Sequence, residues 1–254
     1  MLLKSLRVLL KSHGGRNNKG IITVRAKRRK KKNFYYRLNY HSKIFNVRSL
    51  IVWVGQRRQQ TSFIMLTKTA NSYYNYRIAL NTLNTNQELT TSFDDRAFFG
   101  NTMPLYAVPL VVGIRNVEFY KDQGSILSRA AGTSMRIVRK HSRIGYVTLR
   151  MPSKKLNYSK WDCLSTVGQI SNENFFLKEL RKAGNSFHNG RRPLSRGVAM
   201  NPVDHPLGGG EGKSSGGRQS CSPWGWYTKG PKTQSKVQRR YIQKLKNKVN
   251  KYFD

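Results

Sequence analysis

Three stretches of the chain bring side chains of reactive type close together. Gly208-Gly209-Gly210-Glu211-Gly212-Lys213-Ser214 has the outline of a phosphate-cradling loop, in which backbone N–H groups and a lysine hold a nucleotide. Such a loop needs a glycine five residues before its Gly-Lys pair, and Leu207 stands there. No apolar strand pattern precedes it and no helical pattern follows Ser214, so nucleotide hydrolysis is not expected. Asp204-His205 sets a carboxylate beside an imidazole, the materials of a general base. Adjacent residues rarely turn their side chains toward each other, and no Ser or Cys is spaced as their nucleophile. Pro202 and Pro206 bracket the pair on a stiff turn, which suits a held polar contact better than hydrolysis. Trp224 and Trp226, between Pro223 and Tyr227, can anchor a local apolar contact or stack on bases.

The setting of these residues is strongly basic. The 254 residues carry 48 Lys and Arg against 11 Asp and Glu, a formal net charge of +37. A chain so charged repels itself in isolation and calls for a polyanionic partner, which argues against a self-sufficient metabolic enzyme. With 37% apolar and 11% aromatic residues it can nevertheless build a core. Its longest apolar runs, Leu50 to Val54 and Ala107 to Val112, are far short of the ~20 residues that span a bilayer. Cys163 and Cys221 form no CxxC and stand near no histidine cluster, so they read as small buried thiols rather than a disulfide framework or zinc site.

The charge is also unevenly placed. No acid precedes Glu88, and Lys27-Arg28-Arg29-Lys30-Lys31-Lys32 is flanked by Phe34, Tyr35, Tyr36 and Tyr40, rings able to stack on bases or shield a sheet. Glu88 to Glu211 holds every remaining acid except Asp254, and the chain is basic again beyond it. Blocks of one sign reach outward, and nucleic acid is the expected partner.

The elements that must carry these residues read as short strands: Gly20 to Arg25, Ser49 to Val54, Ser62 to Leu66, Tyr76 to Leu80, Leu105 to Ile114 and Gly145 to Met151. Their Gly, Asn and Pro punctuation points to small β-barrels rather than βαβ units. Asn174 to Ala183 and the tail from about Lys232 read as helical. In the tail Val237, Tyr241, Leu245 and Val249 form one stripe, expected to pack on a protein neighbour while the basic face meets phosphate. Between Arg191 and about Gly230 periodicity is slight, and a groove in nucleic acid is the natural way to order such a segment.

The run from Arg196 to Gly212, RGVAMNPVDHPLGGGEG, closely resembles the signature of the universal large-subunit ribosomal protein 2 ("L-two") family. Further matches follow in family order: Gly15 to Thr23, Asn116-Val117-Glu118, Leu127 to Thr133, Tyr146 to Arg150, Thr166 to Gln169, Arg181 to Gly184 and Pro223-Trp224-Gly225. Agreement is poorest between Ala26 and Asn101. The resemblance implies a mainly β protein: an OB-like barrel, an SH3-like barrel, a long extended basic C-terminal segment and a terminal helix. The expected division is residues 1–14 as an extension, 15–100 and 101–183 as the barrels, 184–230 as an RNA-threading segment and 231–254 as the helical tail. The resemblance implies no enzyme. It implies a structural constituent of the large ribosomal subunit near the peptidyl transferase region, supporting assembly, subunit association and tRNA placement.

The partners so implied are large-subunit rRNA, neighbouring ribosomal proteins and the small subunit, with no membrane span and no cofactor beyond Mg²⁺ associated with the RNA. The residues expected to touch RNA are Arg16, Lys19, Arg25, Lys27, Arg28, Arg29, Lys30, Lys31, Lys32, Arg129, Arg191, Arg192, Arg196, Asn201, Asp204, His205, Lys213, Trp224 and Lys229. Asp204 and His205 match the family's aspartate and histidine. Leu207 replaces a second family histidine, and Arg28, Arg29 and Lys30 stand where the family carries a glycine triplet. Met1 to Lys11 is acid-free and amphipathic like a transit peptide, yet family-like sequence begins almost at once. With abundant Asn, Lys, Tyr and Ile, this points to an organellar ribosome, mitochondrial before chloroplast. The rival readings are a basic nucleic-acid-packaging protein and a hydrolase using Asp204, His205 and Lys213.

Overall fold

A computed structural model describes residues 4–27, 33–41, 46–57, 60–92, 96–212, 216–233 and 235–250. Two compact units emerge: one of Met1–Leu9, Phe34–Lys178 and Arg240–Asp254, the other of Leu10–Asn33 and Glu179–Arg239.

The first unit is mainly β. After a short ribbon of β1 (Arg7–Leu10) and β2 (Asn33–Tyr36) come β3 (Val47–Gln56), β4 (Phe63–Thr69), β5 (Tyr74–Ile78) and β6 (Glu88–Thr91), hydrogen-bonded antiparallel in the order β6-β3-β4-β5. This is the OB-like barrel. Alternation along β3 turns Val47, Ser49 and Ile51 inward, and Ile51, Met65, Ala79 and Leu89 form the core there. A register shift between Ile51 and Trp53 sends Trp53 to the opposite face, where it joins Ile64, Leu66 and Tyr76. β4 is thus buried on both faces and reads as a continuous apolar run.

The SH3-like barrel follows: β7 (Thr102–Pro104), β8 (Gly113–Arg115), β9 (Val117–Glu118), β10 (Ser125–Leu127), β11 (Met135–His141), β12 (Tyr146–Arg150), β13 (Leu156–Lys160) and β14 (Leu164–Val167). A parallel pairing of Thr91 with Thr102 joins the two sheets into one ten-stranded path. Met103, Leu105, Ile114, Val117, Met135, Val147, Leu149 and Val167 are its core. Glu118 is buried, but its carboxylate accepts the N–H of Gly124 at 3.0 Å and of Leu164 at 3.1 Å, which offsets the desolvation. Both cysteines are free and buried as expected, and burial among carboxylates pushes the Cys163 thiol up to about 12.

Three expected elements differ. Gly20 to Arg25 is a turn, because the Asn17 side chain accepts the N–H groups of Lys19 and Ile21, each at 3.0 Å, and folds the chain back. Leu105 to Val112 is looped between Pro104 and Gly113, so only Gly113 and Ile114 of that stretch are strand. Asn174 to Ala183 supplies a 3₁₀ turn, Glu173–Leu177, bounded by left-handed Asn172 and extended Lys178; helix α1 is Ala183–His188.

The tail helix α2 (Lys236–Asn250) forms where its period predicts. Tyr241 and Leu245 of its stripe pack on the chain itself, where a protein neighbour was expected. Leu245 is buried against Tyr158, and Tyr241 lies 4.9 Å from the Tyr120 ring and 5.9 Å from that of Phe119. Burial of Leu245 contributes about 1.5–3 kcal/mol to that packing. Burial and neighbouring tyrosines push the Tyr241 hydroxyl up to about 12.

Candidate nucleic-acid interface

The second unit has little core. Among its described residues His205 and Cys221 are the buried ones, and local hydrogen bonds and glycines hold its loops. It contains 10 Lys and Arg and no acid in Leu10–Asn33, and 11 against 3 in Glu179–Arg239.

The opening loop, Gly14 to Lys27, is organised by Gly15. Its carbonyl accepts the N–H groups of Thr23 and Val24, each at 3.0 Å, and its φ is +82°. A Cβ there would lie 2.0 Å from the Val24 carbonyl oxygen, so only glycine fits. Ala26 and Lys27 continue as an edge for the later segment: Lys27 bridges Arg191 antiparallel, and Arg192 N–H donates to the Ala26 carbonyl at 2.8 Å. Residues distant in sequence thereby meet. Arg16, Arg25, Lys27 and Arg192 line one cavity of about 300 Å³ without a carboxylate, while Lys19 and Arg191 are exposed. Arg28, Arg29, Lys30, Lys31 and Lys32 lie outside the described residues, as does Lys213.

The signature segment folds around His205. Its Nδ1 accepts the Leu207 N–H at 3.1 Å, its carbonyl accepts the Gly208 N–H at 2.8 Å, and the residue is 4% exposed. A Cβ on Gly197 would meet the imidazole at 2.4 Å, and one on Gly208 would meet the Asn201 carbonyl at the same distance. Two glycines of the signature are therefore packing requirements. Leu207, in the place of a family histidine, lies beside Gly216 inside the loop. Asp204 is exposed, as are Arg196 and Asn201. The described hydrogen bond of the His205 ring is local, which leaves no nucleophile activated by it.

Beyond it, Ser220 to Thr228 closes a small hairpin. Cys221 pairs with Tyr227, Ser222 and Trp226 bond through their backbones at 2.8 Å, and Thr228 N–H reaches Ser220 at 3.0 Å. Its tip leaves Trp224 60% and Trp226 76% exposed, and Lys229 follows, also exposed. Neither indole is buried in a core, and both are open to solvent. In the first unit Arg129 stands over the Tyr40 ring at 4.7 Å, with Nη1 3.4 Å from the Ser125 carbonyl.

Among the described residues the ion pairs are Arg48 with Glu88 at 3.9 Å and Lys121 with Asp162 at 3.2 Å, all four side chains accessible. Exposed pairs of this kind contribute little. Most of the described Lys and Arg side chains of the second unit, Arg16, Lys19, Arg25, Arg191, Arg192, Arg196 and Lys229 among them, are exposed, an arrangement suited to a polyanion. No group of three His, Cys, Asp or Glu able to hold a metal ion occurs among the described residues. Sequence reasoning missed half-buried Arg77 and buried Arg115, both on barrel strands, because a lone Arg in a strand carries no pattern signal.

These features define a class: a mainly β, strongly basic protein whose glycine-shaped loops present cations and indoles rather than a catalytic group. Residues 3–91 match the family model "Ribosomal Proteins L2, RNA binding N-terminal domain", and residues 99–225 match "Ribosomal Proteins L2, C-terminal domain". The large ribosomal subunit protein uL2 of Hyphomonas neptunium is 39% identical over 246 residues, covering 96% of this chain and 88% of that protein. The uL2m protein of Reclinomonas americana is 37% identical over 251 residues, covering 97% and 90%. The uL2 protein of Methylocella silvestris is 38% identical over 250 residues, covering 98% and 89%. The chain belongs to the ribosomal protein L2 family.

Proposed function

We propose that the protein is a structural, non-catalytic component of a large ribosomal subunit that binds rRNA chiefly through the second unit. One observation carries the mode of binding: Arg16, Arg25, Lys27 and Arg192, from two distant stretches, meet in one acid-free concavity. Phosphate is the group such a surface takes, with Trp224 and Trp226 adding base stacking. Residues 15–100 and 101–183 act as the positioning barrels, and 184–230 as the segment that threads RNA. His205 shapes the signature loop and exposed Asp204 makes its polar contact near the peptidyl transferase region. Through that placement the protein supports assembly, subunit association and tRNA placement, with Mg²⁺ accompanying the RNA. No helix among the described residues is long and apolar enough to cross a membrane.

The ribosome is read as mitochondrial, chloroplast second. The composition rich in Asn, Lys, Tyr and Ile supports an organelle, as does likeness to a uL2m relative; relatives named uL2 match equally well. Fractionation of the cell decides between compartments.

The protein is expected to sediment with the large subunit and to leave it only at high salt. Recovery free of RNA at moderate salt refutes the assignment. Replacing Arg191, Arg192 and Arg196 by Ala should flatten the salt dependence of RNA binding by about 0.7 log unit per lost phosphate contact. An unchanged slope means these residues do not touch phosphate.

A further inference from the structure

The interior of the OB-like barrel is filled at one end and open at the other. Strand register sets Ser49, Thr69, Asn75, Arg77 and Thr91 on the same inward face as Ile51, Met65 and Leu89. The apolar group closes one end. The polar group lines a cavity of about 560 Å³, with Tyr73 and His41 also in its wall.

Arg77 is the unusual member. It is half-buried on the cavity wall, desolvation there lowers its pKa, and no ion pair to it occurs among the described residues. Arg115 lies nearby, 1% exposed; one nitrogen donates to the Ile78 carbonyl at 2.8 Å while Nε has no partner among the described residues. Burial and the charge of Arg77 bring Arg115 down to about 9, still above neutrality, so the Arg115 fork remains charged. A barrel that needed only filling would be at least as stable with aliphatic side chains here. A half-buried guanidinium on the wall of an open cavity, with no ion pair among the described residues, is a donor set that can take an acceptor.

The shape selects the acceptor. A phosphodiester inside an RNA chain must continue in both directions and so stays at a cavity's rim. A base turned out of the stack fits a cavity of this size with its edge inward and its ring against an aromatic wall. Guanine is the base whose O6 and N7 accept both N–H groups of an arginine fork. Tyr73, 71% exposed at the wall, supplies the stacking face. We propose that this cavity takes one unpaired guanosine of the rRNA, its O6/N7 edge on Arg77 and its ring against Tyr73. The proposal rests on the rRNA-binding function above.

The test uses the full chain, rRNA from large subunits, and fluorescein-labelled oligouridine hexamers with one central G, A or U. The G hexamer should bind about tenfold or more tighter than the others. Arg77→Met, which keeps the volume and removes the fork, should lose that preference, keep its affinity for the all-U hexamer, and melt no lower than the wild type. 6-Thioguanosine at the central position should crosslink to Tyr73 or His41. A G preference surviving in Arg77→Met, a marked fall in its melting temperature, or crosslinks elsewhere alone would each overturn the proposal. Tight rRNA binding without G preference removes this inference and leaves the function standing. Failure of the wild type to bind any RNA removes both.

Discussion

The two compact units reach order by opposite means. The barrel unit buries a core such as Met103, Ile114, Val147 and Leu149 and satisfies even a buried carboxylate, Glu118, with backbone N–H groups. The basic unit buries little beyond His205 and Cys221 and is held by side-chain turns and by glycines where a Cβ would collide. Its excess of cations opposes its own compaction. On the proposed function, scaffold and contact surface are thus separated in one chain: apolar burial fixes the first, and RNA would complete the second.

That contrast can be broken, and the largest effect belongs to the core. Leu149→Ala should cost about 2–5 kcal/mol of stability, read by urea unfolding. A loss well below 1 kcal/mol would mean the barrel core is not what holds the first unit.

Gly15→Ala comes next, because a side chain at φ +82° against the Val24 carbonyl costs about 1–3 kcal/mol locally. RNA affinity should fall severalfold while the barrel's melting transition stays put. A shift of the main transition would show the units to be energetically one. Trp224→Ala should weaken RNA binding by about 1–3 kcal/mol if the indole stacks on a base, with no change in stability. Equal affinity would leave the indole without a stacking role.

The smallest effect at neutral pH becomes visible in alkali. Cys163 moves from 9.0 to about 12 on folding and Tyr241 from 10.0 to about 12. Both are neutral acids favoured by burial, so their contribution is complete below pH 9 and is lost as pH rises toward 12. Unfolding followed from pH 8 to 12 should show stability falling above pH 9, less steeply in Cys163→Ala. A flat profile would contradict the burial of both groups.

Much of this was legible in local sequence, for identifiable reasons. β3, β4 and β12 formed where β-branched and aromatic residues cluster, and α2 where the apolar period is four. The strand expected at Gly20 to Arg25 failed because β propensity there loses to a single Asn17 side chain that bonds the backbone more locally. At the interface, Arg16, Arg25 and Lys27 could be singled out by charge, but their convergence with Arg192 could not.

The sequence by itself determined the class of fold, the family, the basic excess and its confinement to particular stretches, because composition, period and a contiguous signature are local properties. Tertiary structure alone decided that Tyr241 and Leu245 of the tail pack against Tyr158 and Tyr146 of the chain itself, and that His205 is buried inside its loop. It also decided that half-buried Arg77 and buried Arg115 come close enough for one charge to act on the other. Each of these depends on which residues meet across long separations, and long-range pairing follows from the folded register rather than from neighbours in the chain.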